Sequence, residues 1–272
     1  MPGKRAISNL RDKGVRGAYL GFLMIPKKRM DLIKSLKSHR EAEEEGRIWS
    51  KKGRGKLEET NYEGIYNLLG HAQNKLKETG YVKIVELGMG EGRHVPELIR
   101  KLKKSSSRGV IYFHDLSLTK HLSNWTSGIL ELENEGIVHR HIGLFETKDL
   151  TSLKDSDVIY SSFGPLLHTF SHYEYVNKSA YNRPKFRAQL KLKLKNHLRI
   201  QLERVADLLA IDGEGLLTDN TAHGLLAFDR PESKDLYDIV TELNKKFDGK
   251  YKFVFRLRDS RSTAIIHIKR LK

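Results

Sequence analysis

The feature that most constrains the fold of this chain is a glycine-rich turn between a predicted strand and a predicted helix. Residues 82–87 form a short β-branched run typical of a buried strand, and residues 95–104 have the apolar spacing of a helix. Gly88, Gly90 and Gly92 lie between them. Glycine lets a backbone turn sharply and lets a ligand approach where a Cβ would obstruct it. In an open α/β sheet, such a turn lies at the carboxyl end of a strand, where ligands bind.

The spacing of the turn separates three kinds of nucleotide-binding site. A P-loop needs Gly-Lys-Ser/Thr, which this segment lacks. A dinucleotide site needs G-x-G-x-x-G/A, and its third position falls on Arg93. Glu86, Gly88, Gly90 and Gly92 instead form an acidic-x-Gly-x-Gly-x-Gly turn without a gap. This turn resembles that of the Rossmann-like (class I) S-adenosylmethionine (SAM)-dependent methyltransferase superfamily, although a purely structural turn has a similar composition.

The alternation of strands and helices continues along the chain. Further strands are predicted at 110–114, 137–142, 158–161, 215–219, 251–257 and 263–269, and helices at 62–79, 118–135, 186–211 and 236–246. The alternation favours a mostly parallel sheet with helices on both faces, closed by a C-terminal antiparallel hairpin. The resemblance implies a seven-stranded Rossmann-like methyltransferase domain over residues 58–272. Residues 1–57 are predicted to form a basic, partly helical N-terminal extension.

The resemblance also implies a cofactor site. Asp115 follows the second strand, where a carboxylate can accept hydrogen bonds from both ribose hydroxyls of an adenosine. The alternative for Asp115 is a helix N-cap or turn former. In the family, the loop after the third strand contacts the adenine, and the tail of the fourth strand lines the pocket between cofactor and substrate. The implied SAM site comprises Glu86, Gly88, Met89, Gly90, Gly92, Arg93, Asp115, Leu116, Gly143, Leu144, Phe145 and Ser161.

Four residues are candidates for the methyl-transfer step. Residues 157–164 resemble the fourth-strand motif of the family, which places Tyr160, Ser161 and Ser162 near the transfer site. His168 follows and can act as a base at neutral pH, or can be an ordinary histidine on a helix surface. His168 and His172 are four residues apart, but no cysteine and no evident third ligand accompany them, so no metal site is expected.

The positive charge of the chain is concentrated in two segments. The net charge is +16, and residues 1–60 and 178–204 account for all of it. Such a distribution favours a polyanionic partner, with a solubilising Lys-rich surface as the alternative. In the predicted long helix, basic residues recur every four positions, next to a segment where aromatic and basic residues alternate. The predicted substrate-binding residues are Lys27, Lys28, Arg29, Arg183, Lys185, Arg187, Lys191, Lys195 and Arg199.

These features together predict methyl transfer from SAM to a nucleic acid, with structured RNA such as rRNA or tRNA as the expected acceptor. One alternative is a methyltransferase for a small molecule or a protein side chain. Another is a non-catalytic RNA-binding protein that retains the cofactor fold. The chain has no cysteine, which excludes disulfides, Cys-ligated zinc and a cysteine nucleophile. No segment approaches the ~20 apolar residues of a membrane span. A cytoplasmic location away from membranes is therefore expected, and the oligomeric state stays open.

Overall fold

The structure, a computed structural model, describes residues 63–87, 94–117, 127–142, 149–162, 184–220, 234–258 and 263–272. Its helices are α1 (Glu63–Thr79), α2 (Val95–Ser105), α3 (Ser127–Asn134), α4 (Pro184–Leu208) and α5 (Lys234–Lys246). Its strands are β1 (Tyr81–Leu87), β2 (Val110–Ser117), β3 (Val138–Ile142), β4 (Ser156–Ser162), β5 (Leu209–Asn220), β6 (Tyr251–Arg258) and β7 (Thr263–Arg270). A single 3₁₀ turn, Thr151–Leu153, precedes β4.

The strands form one seven-stranded sheet in the order β3-β2-β1-β4-β5-β7-β6. The five strands β1 to β5 pair in parallel, whereas β7 runs antiparallel to both β5 and β6. The prediction of a mostly parallel Rossmann-like sheet with a C-terminal antiparallel hairpin is therefore confirmed. The proposed division between residues 57 and 58 lies outside the described residues.

Side chains alternate between the two faces along each strand, so apolar side chains project from both faces. Helices cover both of these apolar faces. One face carries Ile84 and Phe113, which belong to an apolar cluster with residues of α1, α2 and α3. The other face carries Val85 and Ile159, which belong to a second cluster with residues of α4 and α5. Phe113 and Ile159 are fully buried, so the sheet is the centre of a two-sided core.

Two of the differences from the predicted boundaries bear on the site or on the core. The sequence predicts a long helix that reaches residue 211, but α4 ends at Leu208 and Leu209 begins β5. The apolar run at this junction satisfies helical spacing as well as a buried strand, so local pattern does not separate them. The second strand continues to Ser117, so Asp115 is a strand residue and its alternative role as a helix N-cap or turn former is wrong.

A bulge at the start of β5 shifts the pairing of β5 with β4, and the sequence pattern does not predict this shift. Ser156 of β4 is opposite Leu209, whereas Val158 is opposite Glu214. The extra residues include Asp212, whose φ of 63° lies in the left-handed region. A Cβ at Gly213 would lie 2.8 Å from the carbonyl oxygens of both Ala210 and Ser156. Only glycine therefore allows these two backbones to approach.

Candidate functional site

The strand order places a topological switch point at the carboxyl ends of β1 and β4. From β1 the chain adds β2 and β3 on one side, and then β4 and β5 on the other. The helices that follow β1 and β4 therefore diverge to opposite faces and leave a crevice at the ends of these strands. Ligands of open α/β sheets bind in this crevice. The glycine turn begins there, because β1 ends at Leu87.

Two buried carboxylates lie side by side near this switch point. Glu86 of β1 and Asp115 of β2 are register partners in the parallel ladder. Their residues are only 2% and 1% exposed. Both have the strand parity of Phe113 and therefore project from the face that α2 covers. Burying two carboxylates costs free energy unless hydrogen-bond donors surround them, so these two positions differ from ordinary core positions of a sheet.

Glu86 is bonded by two side chains that converge on one of its oxygens. The Nε2 atom of His94 lies 3.0 Å from Glu86 Oε2, and the hydroxyl of Tyr160 donates to the same oxygen at 3.0 Å. His94 Nε2 and the Tyr160 oxygen are themselves 3.1 Å apart. His94 and Tyr160 are each 5% exposed. The three residues thus form a closed, buried cluster that connects β1, β4 and the start of α2.

The charges in this cluster shift the protonation of both partners of Glu86. Burial disfavours the imidazolium of His94, but the adjacent Glu86 carboxylate together with Asp115 and Glu97 more than offsets this, so the pKa of His94 is raised above its ordinary value. Burial and the Glu86 carboxylate together raise the pKa of Tyr160 well above its ordinary value. The cluster therefore favours a protonated histidine and a neutral phenol around a carboxylate.

Ser161 connects the two strands that flank the crevice. Its hydroxyl donates to the carbonyl oxygen of Leu87 at 3.0 Å, and the residue is 2% exposed. The bond lies beside the last β1–β4 pair of the ladder, Glu86 with Tyr160. Ser161 therefore fixes the carboxyl end of β1 against β4, directly before the glycine turn.

The structure brings together part of the site predicted from sequence. Glu86, Asp115, Leu116, Tyr160 and Ser161 lie at the carboxyl ends of β1, β2 and β4, and Ser162 ends β4. The remaining predicted cofactor and catalytic positions lie outside the described residues: Gly88, Met89, Gly90, Gly92, Arg93, Gly143, Leu144, Phe145 and His168. Lys27, Lys28, Arg29 and Arg183 also lie outside them, whereas Lys185, Arg187, Lys191, Lys195 and Arg199 lie in α4.

Sequence reasoning missed His94. It is the N-cap residue of α2, yet its side chain makes no capping hydrogen bond to the helix and bonds Glu86. A signal for it was present, because a buried acid at a strand end needs a donor and His94 is eight residues further along the chain. The glycine pattern ends at Gly92, so His94 lies outside it.

Comparison with known proteins gives a likeness to solved structures. No family model matches the chain, and no curated protein matches it. One matched structure is MNMC2 from Aquifex aeolicus, at 12% identity and a TM-score of 0.41, covering 77% of this chain and 60% of that one. Another is the N-methyltransferase NodS from Bradyrhizobium japonicum with S-adenosylhomocysteine (SAH), at 10% identity and 0.44, covering 78% and 88%. A third is an rRNA methylase from Streptococcus thermophilus, at 12% and 0.37, covering 74% and 94%.

The likeness is one of fold. The strand order and the antiparallel β7 show directly that the chain has a Rossmann-like α/β fold. The chain spans less than two thirds of the length of MNMC2. The substrates named for the matched structures describe those proteins and not this chain.

The basic face of α4 is partly neutralised by α5. Arg199 Nη1 lies 3.7 Å from Glu242 of α5, and Arg199 also donates to Asn196 at 3.2 Å. Lys246 of α5 pairs with Glu203 of α4 at 2.8 Å. Leu198 and Leu202 of α4 are fully buried and belong to the apolar cluster that includes Val85 and Ile159 of the sheet. Part of the predicted basic stripe therefore stabilises the contact between two helices.

Aromatic rings cross the outer part of the sheet on the face opposite Phe113. The ring row, as we name it, consists of Tyr81, Tyr112, His139, His114 and His141, with successive centroids 6.2, 6.0, 5.0 and 5.1 Å apart. Tyr81 and Tyr112 are 37% and 41% exposed. Nε2 of His139 has no hydrogen-bond partner although it is buried. The row runs from the amino end of β1 to the carboxyl half of β3.

His114 is the residue of the ring row whose protonation is most strongly affected. Its Nδ1 lies 2.9 Å from Nε2 of His141. Burial, followed by the nearby His141, His139 and Lys83, lowers the pKa of His114 to about 3. The folded protein therefore holds this imidazole neutral at pH values where an unfolded chain protonates it.

We expect the folded state to lose stability through His114 as the pH falls. Between its ordinary pKa of about 6.5 and its folded-state pKa of about 3, the unfolded chain binds a proton that the folded chain does not. The free energy of unfolding should fall by about 1 kcal/mol between about pH 7 and pH 5, after allowance for solvent screening. Urea denaturation at several pH values measures the free energy of unfolding. This free energy should depend less on pH in His114→Gln than in wild type. Equal slopes would contradict the assignment.

Two further findings concern metal ions and membrane-spanning helices. Among the described residues, no group of three or more His, Cys, Asp or Glu side chains is arranged to hold a metal ion. None of the helices in the part of the chain that the structure describes is long and apolar enough to cross a membrane.

Proposed function

We propose that this protein transfers a methyl group from SAM to RNA, with SAH as the product. The observation that carries the proposal is the pair of buried carboxylates, Glu86 and Asp115, in register at the switch point where the glycine turn begins. A carboxylate at the end of β2 suits a vicinal diol, because its oxygens can accept from two hydroxyls. We assign Asp115 to the ribose and the turn of Gly88, Gly90 and Gly92 to the rest of the cofactor.

The side chains present fit such a cofactor in their chemistry. Asp115 is an acceptor for hydroxyl groups, and the glycines leave space for close backbone approach. Ser161 and Leu116 lie on the strands on either side of β1 and border the same crevice. SAM, when bound, supplies a methyl carbon that its sulfonium already activates. The protein's task is then to align the acceptor and exclude water, which in favourable cases contributes roughly 7–11 kcal/mol.

Tyr160 and Ser161 are assigned supporting roles in this proposal. The raised pKa of Tyr160 makes its phenol a poor base near neutral pH, and its hydroxyl already donates to Glu86. The hydroxyl of Ser161 donates to the backbone of Leu87. His168 and Ser162 remain the proposed catalytic candidates. A base is required only if the acceptor loses its proton early.

Charge and aromatic surface support RNA as the substrate. A net charge of +16 favours a polyanion, and Lys195 and Arg199 contribute to it on α4. The exposed rings of Tyr81 and Tyr112 provide stacking surfaces of the kind that bind unpaired bases. We extend the proposal to the other basic positions named from the sequence, Lys27, Lys28, Arg29, Arg183, Lys185, Arg187 and Lys191.

One observation favours the alternative of a small-molecule or protein acceptor. Arg199 pairs with Glu242 and Lys246 pairs with Glu203, so the positive charge of these two residues is partly neutralised within the protein and attracts RNA less strongly. The remaining alternative, an RNA-binding protein without catalysis, predicts RNA binding without methyl transfer. We also propose a cytoplasmic location and a methyltransferase domain spanning residues 58–272, preceded by a basic extension.

Calorimetric titration with SAM and SAH, followed by transfer of a radiolabelled methyl group in a cell extract that contains RNA, proteins and small molecules, tests the proposal. Micromolar binding of either ligand and label in the RNA fraction are the expected results. Binding with label in proteins or small molecules alone would favour the alternative acceptors. Absence of binding to both ligands would overturn the proposed function.

A further inference from the structure

The glycine turn is bracketed by two residues that bond each other. Glu86 precedes the end of β1 by one residue, and His94 immediately precedes α2. Residues 88–93 lie between them along the chain. The 3.0 Å contact between His94 Nε2 and Glu86 Oε2 therefore closes a loop that contains the whole turn. No equivalent connection follows from strand pairing, because His94 is not part of the sheet.

Both ends of this loop are also anchored. Glu86 is held in the β1–β2 and β1–β4 ladders. The carbonyl of His94 accepts from the amide of Leu98 at 3.0 Å, within the first turn of α2. Tyr160 bonds both partners from β4, and all three side chains are buried. A displacement of the turn that separates its ends would break bonds that water does not replace, because buried polar groups are costly to leave unpaired.

We propose that His94 and Glu86 form a clasp that fixes the end of β1 against the start of α2, and that cofactor affinity depends on this clasp. The clasp rests on the proposed function of the turn as a SAM site. His94 is then a positioning residue, because it acts through the turn. Tyr160 secures the clasp by donating to the oxygen that His94 also contacts.

The charges around His94 make the clasp dependent on pH. Glu86 of β1, Asp115 of β2 and Glu97 of α2 all favour its imidazolium, against the effect of burial, and the neutral phenol of Tyr160 faces it from β4. A hydrogen bond between two charged groups is stronger than one to a neutral donor. As the pH rises through the raised pKa of His94, the clasp loses that charge, and cofactor affinity should fall.

The test measures the dissociation constant of SAH against pH for wild type, His94→Gln, Tyr160→Phe and His267→Gln. His267 is a matched control, because its Nε2 also contacts a glutamate, Glu214, at 3.2 Å, but in the β5–β7 pair. We expect His94→Gln to bind SAH about tenfold more weakly near neutral pH, with a flatter profile above it. Tyr160→Phe should lose about threefold, and His267→Gln should match wild type. The ionisation of SAH itself changes with pH in the same way in all four experiments, so it does not account for a difference between the proteins.

A second measurement keeps the clasp testable if His94→Gln folds poorly. In wild type, the amide resonances of Gly88, Gly90 and Gly92 should titrate with the same midpoint as the imidazole of His94. If wild type binds SAH but His94→Gln binds equally tightly with the same pH profile, or if the glycine amides ignore His94, the clasp is overturned and the proposed function stands. If wild type binds neither SAH nor SAM, both are overturned.

Discussion

Replacing Asp115 by alanine is expected to weaken SAH binding by about 100-fold or more. Two hydroxyl groups would lose a charged acceptor, and each hydrogen bond to a charged group contributes about 1.5–3 kcal/mol. Asp115 is 1% exposed and is opposite Glu86 in the ladder, so its carboxylate has a fixed position. Calorimetric titration of the purified variant measures the effect directly.

The fold of the variant should survive the change. Asp115 and Glu86 are adjacent buried carboxylates, and removal of one of them relieves repulsion between like charges. Asp115→Asn keeps the side-chain volume and one acceptor oxygen and should have an intermediate affinity. Asp238→Ala, on the exposed surface of α5, is the control and should bind as wild type does. Unchanged SAH affinity in a folded Asp115→Ala protein would show that the ribose assignment is wrong.

The fold was predictable from sequence because its signals are local. Short apolar runs separated by helical spacing predict alternating strands and helices, and their order restricts the sheet to a few topologies. The junction of α4 with β5 was not predictable, because Leu208, Leu209 and Ile211 satisfy either pattern. The bulge that contains Gly213 depends on contact with Ser156, which is distant along the chain.

The candidate site was predictable only where chemistry is encoded in spacing. The acidic-x-Gly-x-Gly-x-Gly pattern and the strand-end acid identify Glu86 and Asp115. The direction of a side chain from the fourth strand depends on packing, so the hydrogen bond from the Tyr160 hydroxyl to Glu86 does not follow from the sequence. His94 belongs to no motif, and its contact with Glu86 forms only when the start of α2 lies beside β1. The Tyr160 contact spans 74 residues and is absent from any local pattern, whereas the His94 contact spans only 8.

RNA affinity is expected to fall by about 10³–10⁵ between about 50 and 200 mM salt if the basic surface contacts ~6–10 phosphates. Each contact releases condensed counterions, so the slope of affinity against salt counts the phosphates. Fluorescence anisotropy with a labelled structured RNA measures this slope. A flat dependence would exclude the basic segments as phosphate contacts.

The pairing of Arg199 with Glu242 allows a sharper form of this test. Because Glu242 lies 3.7 Å from Arg199, Glu242→Gln should free the guanidinium and strengthen RNA binding, whereas Arg199→Gln should weaken it. Lys252→Gln, on an exposed position of β6, is the control. Opposite effects from the two partners of one ion pair would identify α4 as part of the RNA surface. If neither variant changes RNA affinity while SAH still binds, α4 serves helix packing, and the small-molecule or protein acceptor becomes the better proposal.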